Sequence, residues 1–198
     1  MKNIDILLVF AMLMIIASCK KEEPDPGPII PVEEPTYVSI FEPGDTSKGA
    51  AYALKLTANW SADTYCKKSF SDSTQLNISF YTYTSDGSRR ESISFGPFSK
   101  NNIGVYELSP FTTTGLPPNK VISSYGRWSS DGDVLEDTYQ LDSTDLKNSF
   151  LITKIDLSNK RVDGTFHVSY NIREPRFNPS NPKKVTFSAG RFWATIRD

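Results

Sequence analysis

A single histidine, two cysteines and a scatter of carboxylates are the residues of this 198-residue chain best able to do chemistry. His167 stands between Phe166 and Val168, so strand alternation would turn it to the polar face. A Ser-His-Asp relay can be built around one histidine, but no G-x-S-x-G elbow or comparable signature is present. Asp131, Asp133, Glu136 and Asp137 gather around Gly132. Alternate carboxylates in such a loop can supply some calcium ligands. The full loop pattern with its closing bidentate glutamate is absent, and turn chemistry alone accounts for Asp beside Gly. Glycosidases need two carboxylates at a set separation, which sequence cannot single out. There is no phosphate-cradling glycine loop and no CxxC or His/Cys cluster for zinc. The expectation is a non-enzymatic chain with no catalytic residue, metal or cofactor assigned.

Aromatics are the second chemical resource. Tyr125, Trp128, Trp193 and Phe177 are candidate exposed rings that could stack on a sugar or another ligand. Trp193 is the sharpest of them, because Phe192, Ala194 and Ile196 alternate with it and would take the core side. The basic residues are scattered and the net charge is −1, so nucleic-acid binding has no electrostatic footprint.

The amino terminus supplies an address. Lys2 precedes an uninterrupted apolar run from Ile6 to Ile16, and small residues then lead to Cys19. That is the layout of a secretory signal, and the run is shorter than the roughly 20 residues a membrane span needs. Ile16-Ala17-Ser18-Cys19 resembles the lipobox of bacterial lipoproteins. The resemblance implies cleavage before Cys19 and a diacylglycerol thioether on its sulfur, with membrane lipid as the first partner. Residues 19–35 then carry Lys20, Lys21, Glu22, Glu23 and repeated prolines, a composition for a disordered tether. The charged patch after Cys19 resembles the surface-export signals of Bacteroidota lipoproteins and also suits a plain spacer. Outer membrane is the expected address, with either face open. Asp72-Ser73-Thr74 and Asp142-Ser143-Thr144 resemble the short O-glycosylation acceptor of exported Bacteroidota proteins, with Ser73 and Ser143 as acceptors. Once Cys19 is committed to lipid, only Cys66 remains, which excludes an intramolecular disulfide.

These residues have to be positioned by strands. No segment after residue 20 keeps helical periodicity, whereas β-formers are punctuated by turn residues at sandwich- or barrel-like spacing. Residues 36–198 are read as one all-β domain, a single antiparallel β-sandwich or calycin-like barrel. Expected strands cover Tyr37–Phe41, Tyr52–Trp60 with Leu54, Leu56, Ala58 and Trp60 buried, and Leu76–Phe80. Ser92–Phe95 follows, ended or bulged by Gly96-Pro97, then Val105–Leu108. Val121–Trp128 and Val134–Leu141 flank a hairpin turn at Ser129–Asp133, and Asp142–Lys147 is placed as a capped helical turn. Phe150–Ile155, Arg161–Ile172, Val185–Ser188 and Arg191–Ile196 close the chain, with Gly164 leaving a gap for a bulge or a large neighbour.

The closing pattern resembles uncharacterised lipoprotein families of Bacteroidota, grouped as domains of unknown function. The matching residues are Leu151-Ile152-Thr153-Lys154-Ile155-Asp156, Asn159-Lys160, Val162-Asp163-Gly164-Thr165-Phe166 and Gly190-Arg191-Phe192, with Asn59-Trp60 earlier. The resemblance implies a compact β-sandwich or calycin-like barrel on a lipid anchor and brings no catalytic residues. The function expected is a binding or interaction module for a glycan, small ligand or protein partner. An accessory envelope subunit is the alternative, and a hydrolase the third.

Overall fold

The computed structural model describes residues 49–111 and 116–197. The signal run, Cys19, the tether and the expected Tyr37–Phe41 strand lie outside the described residues. The chain divides into two units, Met1–Glu42 and Pro43–Asp198, and everything below concerns the second.

Ten strands form a single sheet: β1 (Gly49–Lys55), β2 (Ala58–Lys68), β3 (Gln75–Tyr83), β4 (Arg89–Ser99), β5 (Gly104–Ser109), β6 (Lys120–Trp128), β7 (Leu135–Leu141), β8 (Ser149–Asp156), β9 (Arg161–Ile172) and β10 (Lys184–Arg197). The all-β expectation holds, and the pairings close on themselves. Going round, β1 pairs with β2, then β3, β4, β6, β7, β9 and β10, which returns to β1. A second route, β6–β5–β8–β9, closes the same gap lower down. Only β5–β6 and the short β10–β2 contact are parallel. Closure leaves few unpaired edges for another chain to add to.

Strand directions define two ends. The β1–β2, β3–β4 and β6–β7 turns and the β9–β10 loop lie at one, here called distal. The start of β1, the β2–β3 loop, the β4–β5 link, the β8–β9 turn and the end of β10 lie at the other, the basal end.

Alternation drives the assembly, since successive strand residues face opposite sides. Leu76, Ile78 and Phe80 point in from β3, and Val162, Phe166, Val168 and Tyr170 from β9. The interior is a stack of rings: Phe95 and Phe150 lie 4.5 Å apart and nearly parallel, and Phe150 and Phe192 lie 5.6 Å apart at 4°. Gly164 and Gly190 make this possible. Gly164 pairs with Phe192 and Gly190 with Phe166, and a Cβ on either glycine would collide with its partner's ring. The gap at Gly164 is therefore filled by a large neighbour, as its place on β9 suggested.

Two local expectations are corrected. Tyr52–Trp60 is not one strand but a hairpin: the chain turns at Leu56, whose φ of 58° and 52% exposure take it out of any sheet face. Ala51 and Ala53 become the buried residues of β1, while Leu54, Leu56 and Ala58 leave the core and Trp60 stays in it. Residues 142–148 form no helix. They make two linked turns, with Asp145 N bonded to Asp142 O and Asn148 N to Asp145 O, both at 3.1 Å. The Asp142 carboxylate does accept from Thr144 N, so its capping chemistry is used in a turn.

Candidate functional site

Among the described residues, chemistry-bearing side chains gather in the distal part of the interior, on the outer wall of β2, β3, β4 and β6, and around His167 and Asp145.

Inside, Glu91 shares the inward parity of Ile93 and Phe95, and so carries a carboxylate into the barrel. It forms an ion pair and hydrogen bond with the Lys55 ammonium. Tyr125 Oη donates to its Oε1 at 2.7 Å and Trp60 Nε1 to its Oε2 at 2.9 Å. Burial alone would raise the carboxyl, but the Lys55 charge and these three donors outweigh it and hold Glu91 below its ordinary range. Burial pushes Tyr125 the opposite way, and the Glu91 charge adds to that. Both carboxylate oxygens are thus satisfied, as a buried charge requires. The distal interior is further lined by Tyr170, paired with Ser123 Oγ at 2.5 Å, and Tyr139, which donates to Pro182 O at 3.0 Å. Sequence reasoning missed this cluster, although the parity of Glu91 with Ile93 and Phe95 was there to be read.

Tyr125 belongs to this interior and is not an exposed ring. It is 2% exposed, on the inward side of β6 with Val121 and Ser123. Trp128 is three residues further on, and an odd spacing along a strand reverses the face. Trp128 accordingly lies on the outside.

The outer wall reads in rows. One row runs Tyr65, Ser79, Ser94, Ser124 and Gln140 across β2, β3, β4, β6 and β7; the next runs Asp63, Tyr81, Ser92, Gly126 and Thr138. The result is a floor of small hydroxyls, with Ser79 and Ser94 bonded at 3.0 Å, bordered by rings. Tyr65 and Tyr81 meet edge to face at 5.3 Å, and Tyr83 follows Tyr81 at 6.4 Å. Trp128 Nε1 reaches Ser92 Oγ at 3.3 Å. The Arg89 guanidinium lies between two of these rings, 4.4 Å from Tyr81 and 4.7 Å from Trp128, and Arg197 lies 4.8 Å from Tyr65. Arg89 Nε is buried without a hydrogen-bond partner. Stacked in this way, a guanidinium is fixed by its faces and offers its N–H edge. None of Tyr65, Tyr81 and Arg89 was singled out from sequence, because the row exists only once the strands pair.

Trp193 faces outward as expected, half-buried between inward Phe192 and Ala194. Its neighbours are Tyr52, 5.8 Å away between ring centroids, and the Arg161 guanidinium, also at 5.8 Å. Phe177 is 77% exposed on the β9–β10 loop. The four expected aromatics therefore do not form one site.

Three of the four acidic residues near the β6–β7 hairpin, Asp131, Glu136 and Asp137, are spent on structure. Asp131 accepts from Ser129 Oγ and from Asp133 N, across a turn where Gly132 has a φ of 78°. Buried Asp137 accepts from Phe177 N at 2.8 Å, Asn178 N at 3.3 Å and Asn181 Nδ2, and Glu136 binds the same two asparagines. These bonds pin the long β9–β10 loop to β7. Among the described residues no three His, Cys, Asp or Glu side chains converge to hold a metal ion.

His167 Nε2 stands 3.9 Å from Asp145 Oδ2, the oxygen that accepts from Ser169 Oγ at 2.6 Å. The carboxylate sits between histidine and serine, whereas a relay places the histidine between. Burial lowers the His167 pKa, with Asp145 partly opposing it. Cys66 is fully buried and its thiol is pushed up to about 12, so it stays protonated and inert. Ser73 and Ser143 are exposed and occupy the same local geometry. In each Asp-Ser-Thr turn the aspartate accepts from the threonine N and Oγ1, at 2.8 and 2.6 Å for Asp72 and at 3.1 and 2.6 Å for Asp142.

No family model, no curated protein and no solved structure matches this chain.

Proposed function

We propose that this chain is a lipid-anchored protein of the bacterial outer membrane whose barrel is a binding module without enzymatic activity. Its favoured ligand is a glycan, presented to the outer wall of β2, β3, β4 and β6. The observation that carries this reading is the floor of Ser79, Ser92, Ser94 and Ser124 bordered by Tyr65, Tyr81 and Trp128. Short hydroxyls and ring edges suit the mixed polar and CH surface of a sugar, and the fixed Arg89 N–H edge adds a donor for a hydroxyl or carboxylate. Trp193 with Tyr52 is a second, smaller platform. Acylation of Cys19 would hold the module at the membrane, because two or more chains give stable anchoring. Ser73 and Ser143, exposed in matched turns, are offered as O-glycan acceptors.

A glycan-array screen of the full chain tests the reading, repeated with Trp128→Ala and Trp193→Ala. Stacking of one ring contributes about 1 kcal/mol, so Trp128→Ala should weaken a bound glycan roughly fivefold or more. Absence of binding to any glycan would remove the sugar reading and favour the accessory-subunit alternative.

A further inference from the structure

We propose that the basal end of the barrel rests on an anionic bilayer surface, orienting the distal end and the ring-bordered wall away from it. The direction of the tether in this proposal rests on the lipid-anchored reading; the surface itself does not.

Three observations meet at this end. The first is where the chain enters. Gly49 pairs with Thr64, Ile196 with Cys66, and Ile196 N donates to Lys160 O, so the start of β1 lies beside the ends of β2 and β10 and the β8–β9 turn. Gly49, the first described residue, therefore lies at this end. The second is apolar exposure on three separate basal loops: Phe70 at 109%, Ile103 at 56% and Leu157 at 52%. Single residues of this size at loop tips fit the shallow insertion of an interfacial protein, where rings and aliphatic tips enter the headgroup boundary.

The third is charge, which is more basic at this end than at the other. The basal segments carry Lys67, Lys68, Lys100, Lys154, Lys160, Arg161 and Arg197 against Asp72, Asp156 and Asp163, with Asp198 next in sequence after Arg197, an excess of three in a chain whose net charge is −1. The distal turns also expose apolar side chains, Leu56, Val134 and Phe177. Their eight basic residues, Lys55, Arg89, Arg90, Arg127, Arg173, Arg176, Lys183 and Lys184, meet seven acids, Asp86, Glu91, Asp131, Asp133, Glu136, Asp137 and Glu174, an excess of one. An anionic lipid surface favours the face with the larger basic excess, with each Lys or Arg near the surface raising partition about fivefold. A tether joined at the same end would keep that face close to the membrane, and so raise its effective concentration there.

The unit Pro43–Asp198 holds the whole described core inside a closed hydrogen-bonded ring, and so can be tested without the anchor. Its flotation with phosphatidylcholine vesicles is compared with flotation on vesicles that also contain phosphatidylglycerol, at low and high salt. Flotation on the phosphatidylglycerol vesicles alone, released by salt, is the expected result. Phe70→Asp should reduce it at least about tenfold, as should Lys67→Glu with Lys68→Glu. Phe177→Asp at the distal end should leave it unchanged. Equal melting temperatures across the variants show that the fold is intact. Flotation with neither vesicle overturns the proposal, as does equal flotation with both, equal losses for Phe70→Asp and Phe177→Asp, or self-association through Phe70 in place of lipid binding. Mass spectrometry of Cys19 in the full chain separates the two readings: an unmodified thiol with a floating barrel removes the anchor and keeps the docking face, and an acylated thiol with a barrel that stays down does the reverse.

Discussion

The two halves of the barrel interior are built from different materials. Toward the base the core is largely apolar: Phe98 and Tyr106 pack on Phe150, Leu76, Ile78, Val162 and Ile196 belong to the same core, and the hydroxyls of Tyr106 and Thr64 go to backbone carbonyls, at Asn102 O 2.9 Å and Trp193 O 2.6 Å. Toward the distal end the same ring of strands encloses the Lys55–Glu91 pair and the hydroxyls of Ser123, Tyr125, Tyr139 and Tyr170. Apolar packing depends on shape and is insensitive to pH. A buried ion pair depends on charge, because removing or neutralising one partner strands the other. Cohesion thus rests on shape at one end and on charge at the other, and the charged end is where the long β9–β10 loop is pinned by Asp137.

That contrast can be broken at either end. Phe150→Ala removes the ring between Phe95 and Phe192 and should cost about 3–5 kcal/mol in a denaturant melt, the same at pH 4 as at pH 7. Glu91→Gln should cost about 3 kcal/mol at neutral pH, because Lys55 loses its counter-charge inside the barrel. The Glu91 carboxyl is held below its ordinary 4.5, so its contribution is present above that value and lost as pH falls through the lowered native one. The wild type should therefore lose stability in acid below about pH 4.5, and Glu91→Gln should lose less over the same window. Asp137→Asn, with an effect of about 1–2 kcal/mol, should act locally, speeding amide exchange at Phe177 and Asn178 while leaving the β3 amides protected. If Asp137→Asn melts the basal strands equally, the division into two differently built halves is wrong.

Much of this was legible where alternation is long and uninterrupted. Arg161–Ile172 is read with the bounds the structure has, the gap at Gly164 signals its covering ring, and Trp193 faces outward because Phe192, Ala194 and Ile196 do not. The Ser129–Asp133 turn is legible because Asp and Gly carry their own turn chemistry. The β1–β2 turn is not, because Leu56 and Thr57 offer no such signal and the apolar residues on either side imitate a continuous strand. Ring type groups Tyr125 with Trp128, whereas their odd spacing along β6 puts them on opposite faces. The outer wall was out of reach for a different reason: Tyr65, Tyr81, Arg89 and Trp128 come from four strands, and their row depends on registers that no single segment encodes.

Gly164 beneath Phe192 and Gly190 beneath Phe166 form a reciprocal exchange of volume between two neighbouring strands. Neither glycine can acquire a side chain while the opposite ring stays, and neither ring can shrink without opening a void over its glycine. Gly190 and Phe166 are consequently inherited as a pair: in any diverging lineage of this fold a bulkier residue at 190 should arrive together with a smaller one at 166, whereas position 164, where a side chain would also meet the Leu151 carbonyl oxygen, should stay glycine whatever stands at 192.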